Sequence, residues 1–224
     1  MSAEPPTEAA PALEALVELL MEGDAPVSPR SAERARQVHI ADSLSGLDFT
    51  ELTEARRIAD LGSGAGLPGL VLAASLPEAR VELIESVSRK CSFLRRAVER
   101  LGLANAEVVC ARAESWAAAE GREAYDAVAA RAIGRLPTVA ELASPLLRDG
   151  GHLLSWRGRR DPDEEARLAR AAARLALEPV EVKPVTPYPG SRDRHIHLVR
   201  KNGPTPEDLP RRPGMAAKRP FGSE

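Results

Sequence analysis

The sequence predicts an α/β fold: a seven-stranded, mostly parallel sheet flanked by helices, with a short helical extension ahead of it. Three observations lead there. From residue 56 onward, short apolar strands alternate with helical segments. Those strands are nearly continuously apolar, as strands covered on both faces are. A glycine-rich turn (Gly62, Gly64, Gly66) joins the first strand to the helix that follows it, as in Rossmann-like folds.

The elements follow in order. Leu13, Leu16, Val17 and Leu20 form one stripe of a helix over 8–22, which Gly23 ends. Ser28 with Pro29 starts a second helix over 28–44. The strands are read at 56–60, 80–85, 106–110, 125–131, 151–156, 180–186 and 194–200. The helices between them are read at 67–75, 88–101, 112–119, 136–147 and 162–176. Ser88 opens a helix that Gly102 closes, and Asp161 caps another that has Pro162 at its first position and acids in its first turn. The last two strands follow one another without a helix, so one of them should run antiparallel at the sheet edge. Three regions result: a helical N-terminal extension (1–54), the sheet domain (55–201), and a basic, proline-rich tail (202–224) expected to be extended or disordered.

Composition narrows the function classes. With 224 residues, 43% of them hydrophobic, the chain can bury one sizeable core. No apolar run approaches the roughly 20 residues of a membrane span. The N-terminus carries glutamates and no Lys or Arg, the reverse of a secretory signal, so a cytoplasmic location is expected. Cys91 and Cys110 form no CxxC pair and read as unpaired thiols in a reducing compartment. The four histidines (39, 152, 195, 197) make no metal set, and His195 with His197 reads as strand packing. Net charge is −2, so no global field points to nucleic acid; residues 1–24 hold six acids and no base, while 200–224 hold six bases against three acids. Only four of the 31 basic residues are lysine, a bias toward arginine that codon usage also explains.

The glycine loop restricts the ligand by its spacing. A P-loop requires Gly-Lys-[Ser/Thr], and Leu67-Pro68 follow Gly66 here. The dinucleotide fingerprint needs glycine at 67, so Gly62-x-Gly64-x-Gly66 departs from it by one residue. Asp60, at the end of the first strand, would face a pyrophosphate unfavourably but suits a cationic ligand. Glu85 ends the next strand 25 residues later, where an acid accepts ribose hydroxyls. Ala113-Glu114 stand where an adenine edge would lie. The set favours S-adenosyl-L-methionine (SAM) over a nicotinamide or flavin cofactor, or a purely structural glycine turn.

Methyltransferase chemistry is commonly decided after the fourth strand. The [DN]-P-P-[YFW] signature for exocyclic amines is missing from "YDAVAARAIGRL", and neither cysteine stands where a C5-pyrimidine nucleophile would. Arg131 ends that strand. Its guanidinium can hold a base oxygen, a phosphate or the cofactor, or form an ion pair at the sheet rim.

"DLGSGAGLPG", "LIESVSRKCSFLRRAVERLGL", "ARAESW", "YDAVAARAIGRL" and "PLLRDGGHLL", in this order and spacing, resemble the bacterial 16S ribosomal RNA guanine-N7 methyltransferase family called RsmG or GidB. "VHIADSL" (38–44) is similar to that family's "RHxLDSL", "DRHIHLVRK" (193–201) to its closing strand, and "LPRRPGMAAKRPF" (209–221) to a tail many members carry. The likeness covers about residues 34–221. It implies a class I SAM-dependent methyltransferase fold and cofactor contacts at Gly62, Leu67, Ala113, Glu114 and Arg131, which the spacing above extends to Asp60, Gly64, Gly66 and Glu85. There are departures: the N-terminal region is short, with no "NLT" tripeptide, and the fifth strand ends in Arg157-Gly158 in place of Lys-Gly.

The resemblance implies methylation of guanine N7 in 16S ribosomal RNA. That nitrogen offers an in-plane lone pair and no proton, so attack needs no general base, and alignment carries the reaction. Arg131 is the catalytic candidate, in a positioning role. Arg157, Arg211, Arg212, Lys218 and Arg219 are RNA-binding candidates, the last four as a phosphate grip or as a solvated tail. Deletion of 203–224 is then expected to weaken RNA binding and leave SAM binding alone. The partner is 16S RNA or the small ribosomal subunit, with no membrane and no metal, and nothing demands more than a monomer. Two alternatives are a SAM-dependent methyltransferase for a small molecule or protein, and a non-catalytic SAM-binding regulator.

Overall fold

A computed structural model describes residues 5–222. After a 3-10 turn, α1 spans Ala10–Met21. The expected second helix is broken: α2 (Pro29–Ala32) is followed by a π-helical turn (Ala35–Ile40) and then α3 (Ala41–Leu44). A 3-10 turn, Ser45–Asp48, and α4 (Thr50–Thr53) complete the N-terminal region. The sheet domain runs β1 (Arg57–Leu61), α5 (Gly69–Ser75), β2 (Arg80–Glu85), α6 (Ser88–Leu101), β3 (Ala106–Cys110), α7 (Ala113–Ala117) and β4 (Tyr125–Arg131). It continues with α8 (Leu136–Ala143), β5 (Leu147–Arg157), α9 (Pro162–Ala171), β6 (Leu177–Pro184), β7 (His195–Lys201) and, in the tail, α10 (Met215–Lys218). Asp161 caps α9 as expected, its Oδ1 accepting from the Asp163 and Glu164 amides at 3.0 and 3.2 Å.

The seven strands form one sheet in the order β3-β2-β1-β4-β5-β7-β6. β1 pairs in parallel with both β2 and β4, so the strand order reverses between β1 and β4, where open α/β sheets bind ligands. β7 is antiparallel to both β5 and β6. The antiparallel strand is therefore interior, and β6 takes the edge. A strand inserted between two others has both rows of backbone groups satisfied.

Side chains alternate between the two sheet faces. Ile58 and Leu83 face a core shared with Leu16 and Leu20 of α1, Leu70 of α5 and Leu94 of α6. Leu61, Ile84 and Val128 face a second core with Val139 of α8, Leu168 of α9 and Phe221 of the tail. The N-terminal acids also acquire partners: Asp24 accepts from Arg96 at 2.6 Å, and Glu22 pairs with Arg100. These exposed pairs orient α1 on α6 and contribute little stability.

Two expectations fail. Cys91 and Cys110 are joined as a disulfide with Cα atoms 5.8 Å apart. The β2–α6 turn carries Cys91 back over the end of β3, and Cys110 is the register partner of Glu85. The tail is also neither free nor disordered through residue 222. Leu209, Ala216 and Phe221 are buried, and the Phe221 ring lies between the guanidiniums of Arg174 and Arg211, at 4.1 and 4.0 Å. Sparse apolar residues among prolines suffice because each one enters a groove already made by the sheet domain.

Candidate active site: two clefts at the sheet's switch point

The glycine loop leaves the carboxyl end of β1. Gly62, Gly64 and Gly66 all have positive φ (70°, 59° and 85°), a conformation that side-chain-bearing residues adopt at a cost. Ser63 braces the turn by donating to the Asp60 carbonyl at 3.0 Å. Gly69 begins α5 so close to the strand that an added Cβ would overlap Asp60 and Leu83. Its amide donates to Asp60 Oδ2 at 3.1 Å.

Asp60 is 1% exposed, and its Oδ1 has no protein partner. Burial pushes its carboxyl up to about 6, against the lowering effects of Ser63, the Gly69 amide and the Arg131 charge. A buried carboxylate oxygen without a donor is unfavourable in the protein alone and suits a ligand cation. Glu85 is arranged differently. Its Oε2 accepts from the Gly64 amide at 3.0 Å, and its Oε1 accepts from the Ser86 and Val87 amides at 2.8 and 2.9 Å. These bonds tie the glycine loop to the end of β2. Oε1 is thereby filled, while Oε2 keeps one acceptor site for a hydroxyl.

Two clefts flank the segment after β4. The first, of about 190 Å³, is lined by Gly62, Glu85, Ala113, Glu114, Ile133 and Thr138, together with the tail residues Gly214, Ala216 and Ala217. That volume falls short of the roughly 300–1,000 Å³ of sites enclosing a whole ligand, and suits a nucleoside end. The second, of about 330 Å³, is lined by His39, Asp42, Arg131, Trp156, Arg157, Arg159 and Arg194. Ile133 lines the first cleft while Arg131 and Ala132 line the second, and Ala132 takes φ 58° at the divide.

The predicted residues are distributed accordingly. Gly62, Glu85, Ala113 and Glu114 share the first cleft. Asp60, Gly64, Gly66 and Leu67 build the loop beside it without being among its lining residues. Arg131 lies on the other side, where its Nη1 donates to Asp42 Oδ2 at 3.0 Å and to the His39 carbonyl at 3.1 Å. It is thus a rim ion pair, 13% exposed, and no wall of the nucleoside cleft. Burial, then the Arg131 charge, holds the His39 imidazole below its ordinary value. Arg157 lines the same cleft while donating to the Gly134 carbonyl at 2.5 Å and to Glu164 at 2.6 Å. Arg159 and Arg194 belong to this cleft too and escaped the sequence reading, since Arg194 arrives from the approach to β7. Trp156 closes the floor by donating to the Asp42 carbonyl at 2.8 Å.

The tail arginines divide. Arg211 is 19% exposed, and its guanidinium grips Glu141 through two bonds of 2.6 and 2.7 Å and also donates to the Arg219 carbonyl at 2.7 Å. Those commitments tie it into the fold. Arg212, Lys218 and Arg219 are exposed. Among the described residues no cluster of three His, Cys, Asp or Glu could hold a metal ion, and no helix is long and apolar enough to cross a membrane.

Comparisons with known proteins give the family and the fold class. Residues 11–196 match the family model GidB, described as rRNA small subunit methyltransferase G. Ribosomal RNA small subunit methyltransferase G of Rubrobacter xylanophilus is 44% identical over 200 residues, covering 87% of this chain and 76% of the relative. That of Syntrophomonas wolfei is 40% identical, covering 87% and 90%. Among solved structures, Aeropyrum pernix fibrillarin in complex with S-adenosyl-L-methionine superposes with a TM-score of 0.55 at 23% identity, over 71% of this chain and 72% of that one. The mitomycin 7-O-methyltransferase MmcR gives 0.60 at 14% identity, over 87% and 67%. These structures establish the class I methyltransferase fold.

Proposed function

The chain belongs to the GidB family, rRNA small subunit methyltransferase G, and from that premise we propose that it methylates N7 of a guanine in 16S ribosomal RNA with SAM as donor. One observation carries the reading. A nucleoside-sized cleft bearing two carboxylates and an arginine-lined cleft meet at the post-β4 segment, at the sheet's switch point.

SAM supplies an electrophilic methyl group on a sulfonium. The chain's own residues bind and orient. Glu85 accepts from a ribose hydroxyl through Oε2, and Ala113 and Glu114 meet the adenine edge. The ionised Asp60 sets a negative potential for the cofactor's ammonium group and holds the turn at Gly69. On the other side, Arg131 stays where Asp42 and the His39 carbonyl fix it and positions the acceptor. Arg159, Arg194 and Arg157 give that cleft the charge that RNA phosphates require. Guanine N7 attacks with a lone pair, so no residue has to remove a proton. His39, biased toward its neutral form, adds no positive charge beside the base as the methyl arrives. Catalysis is then alignment and electrostatics.

Arg212, Lys218 and Arg219 extend the basic surface for the RNA backbone. The protein acts as a cytoplasmic monomer on 16S RNA within the small subunit or its precursor. Mass spectrometry of 16S nucleosides from a deletion strain tests this reading against a small-molecule or protein methyltransferase. Loss of N7-methylguanosine, restored by the gene in trans, is expected; its retention refutes the assignment.

A further inference from the structure

The C-terminal tail has a firm and specific seat. Glu141 of α8, only 3% exposed, receives Arg211 through two bonds of 2.6 and 2.7 Å, and its Oε2 accepts from the Phe221 amide at 3.4 Å. Thr138, one turn earlier on the same face of α8, donates to the Ala216 carbonyl at 3.1 Å. Arg122 donates to the Leu209 carbonyl at 2.9 Å, and Arg170 to the Gly222 carbonyl at 3.0 Å. A docked arm with buried anchors at both ends is a poor design for a flexible phosphate grip.

Between those anchors the tail passes over the nucleoside cleft. Gly214, Ala216 and Ala217 line it opposite Glu85 and Glu114. The Gly214 amide donates to Glu114 Oε1 at 2.7 Å. Glu114 Oε2 has no protein partner among the described residues, which leaves it to accept from an amino group. Gly214 sits at φ 83°, so the turn that aims this amide into the cleft favours glycine. Small residues at 216 and 217 keep the wall thin enough to leave the cleft open.

We propose that residues 211–219 form an integral wall of the cofactor site: the tail fixes Glu114 through the Gly214 amide and encloses the adenosine end of the ligand. This rests on the reading that the cleft takes SAM. It reverses the expectation that removing the tail spares cofactor binding. The tail's effect belongs to adenosine, so it extends to 5′-methylthioadenosine, which lacks the amino-acid end.

The test measures binding of SAM and of 5′-methylthioadenosine by calorimetry to three proteins: the full chain, Ala217→Phe, and the chain ending at Pro210. Ala217 is exposed, so the phenylalanine fills the cleft without entering the core. Both altered proteins should bind both ligands at least tenfold more weakly, with RNA affinity of Ala217→Phe unchanged. Should the shortened chain fail to fold, Ala217→Phe and hydrogen exchange of the full chain decide. Addition of 5′-methylthioadenosine should slow exchange across 211–219. Ligand affinities within twofold of the full chain, or exchange in 211–219 indifferent to ligand, overturn the proposal. A full chain that binds neither ligand refutes the cofactor reading itself, and this proposal with it.

Discussion

Asp60→Asn separates the two tasks assigned to the carboxylate under the glycine loop. The asparagine carbonyl can still accept from the Gly69 amide, so the turn stays anchored, while the charge is removed. In the wild-type protein burial raises this carboxyl from 3.8 to about 6, a shift of roughly two units, or about 3 kcal/mol favouring the protonated form. The native state thus binds this proton more tightly than the unfolded chain. The associated stability is present below pH 3.8 and is lost as pH rises through about 6. At pH 7 the unliganded wild type carries the full cost. Asparagine avoids that cost but places an amide donor where Oδ1 lacked a partner, a penalty of about 1–3 kcal/mol. The net expectation is a gain of about 1 kcal/mol at pH 7, a rise of roughly 2–4 °C in melting temperature for a chain of this size. The gain should vanish or reverse below pH 4.

Ligand binding should move the opposite way. Loss of the negative potential beneath the loop should lower SAM affinity by tenfold or more for Asp60→Asn. Affinity for 5′-methylthioadenosine, which has no ammonium group, should hold. For the wild type, SAM affinity should fall as pH drops through about 6, by up to tenfold per unit, and the variant should show no such step. Differential scanning fluorimetry and calorimetry across pH 4–8 supply both readings. A variant that is less stable at pH 7, or that loses both ligands equally, would show that Asp60 acts through geometry and not charge.

The remaining predictions concern neighbouring parts of the site. Arg131→Lys keeps the charge opposite Asp42 but loses the guanidinium's planar geometry and its N–H donors beyond Nη1; methyl transfer should drop at least tenfold while SAM affinity stays within twofold. Equal losses in both would move Arg131 into the cofactor site. Gly69→Ala forces a methyl group against Asp60 and Leu83 and should destabilise the protein by about 1–3 kcal/mol, read from urea midpoints. A neutral effect would contradict the close approach of α5 to β1. Iodoacetamide should label neither Cys91 nor Cys110 of the native protein until a reductant is added, and labelling beforehand would contradict the disulfide.

Much of this molecule is legible in its sequence because local signals agree with the fold. β2, α6, β3 and β4 fall at the expected boundaries, and β2, α6 and β4 end where an apolar run meets glycine or a charged residue. The glycine loop is legible for the same reason: three residues of positive φ leave a direct trace in residue type. The helix read at 28–44 is instead α2, a π-helical turn and α3, the stretch that brings the His39 carbonyl and Asp42 to Arg131, a contact across about ninety residues. Contacts across long separations leave no local trace. Arg211 meets Glu141 seventy residues away. Composition alone left that arginine as either a phosphate grip or a solvated charge. The Cys91–Cys110 bond escaped notice because the parallel β2–α6–β3 crossover, not a short motif, brings the two residues together.

The central claim is a division of labour: the carboxylate-bearing cleft holds the methyl donor, and the arginine-lined cleft presents a guanine of 16S RNA. Transfer of tritiated methyl from SAM to small ribosomal subunits of a strain lacking this enzyme tests it most directly. One methyl group per subunit is expected, recovered as N7-methylguanosine, with none transferred to subunits from the parent strain. Label recovered on another base or on protein, or equal labelling of both kinds of subunit, would contradict it.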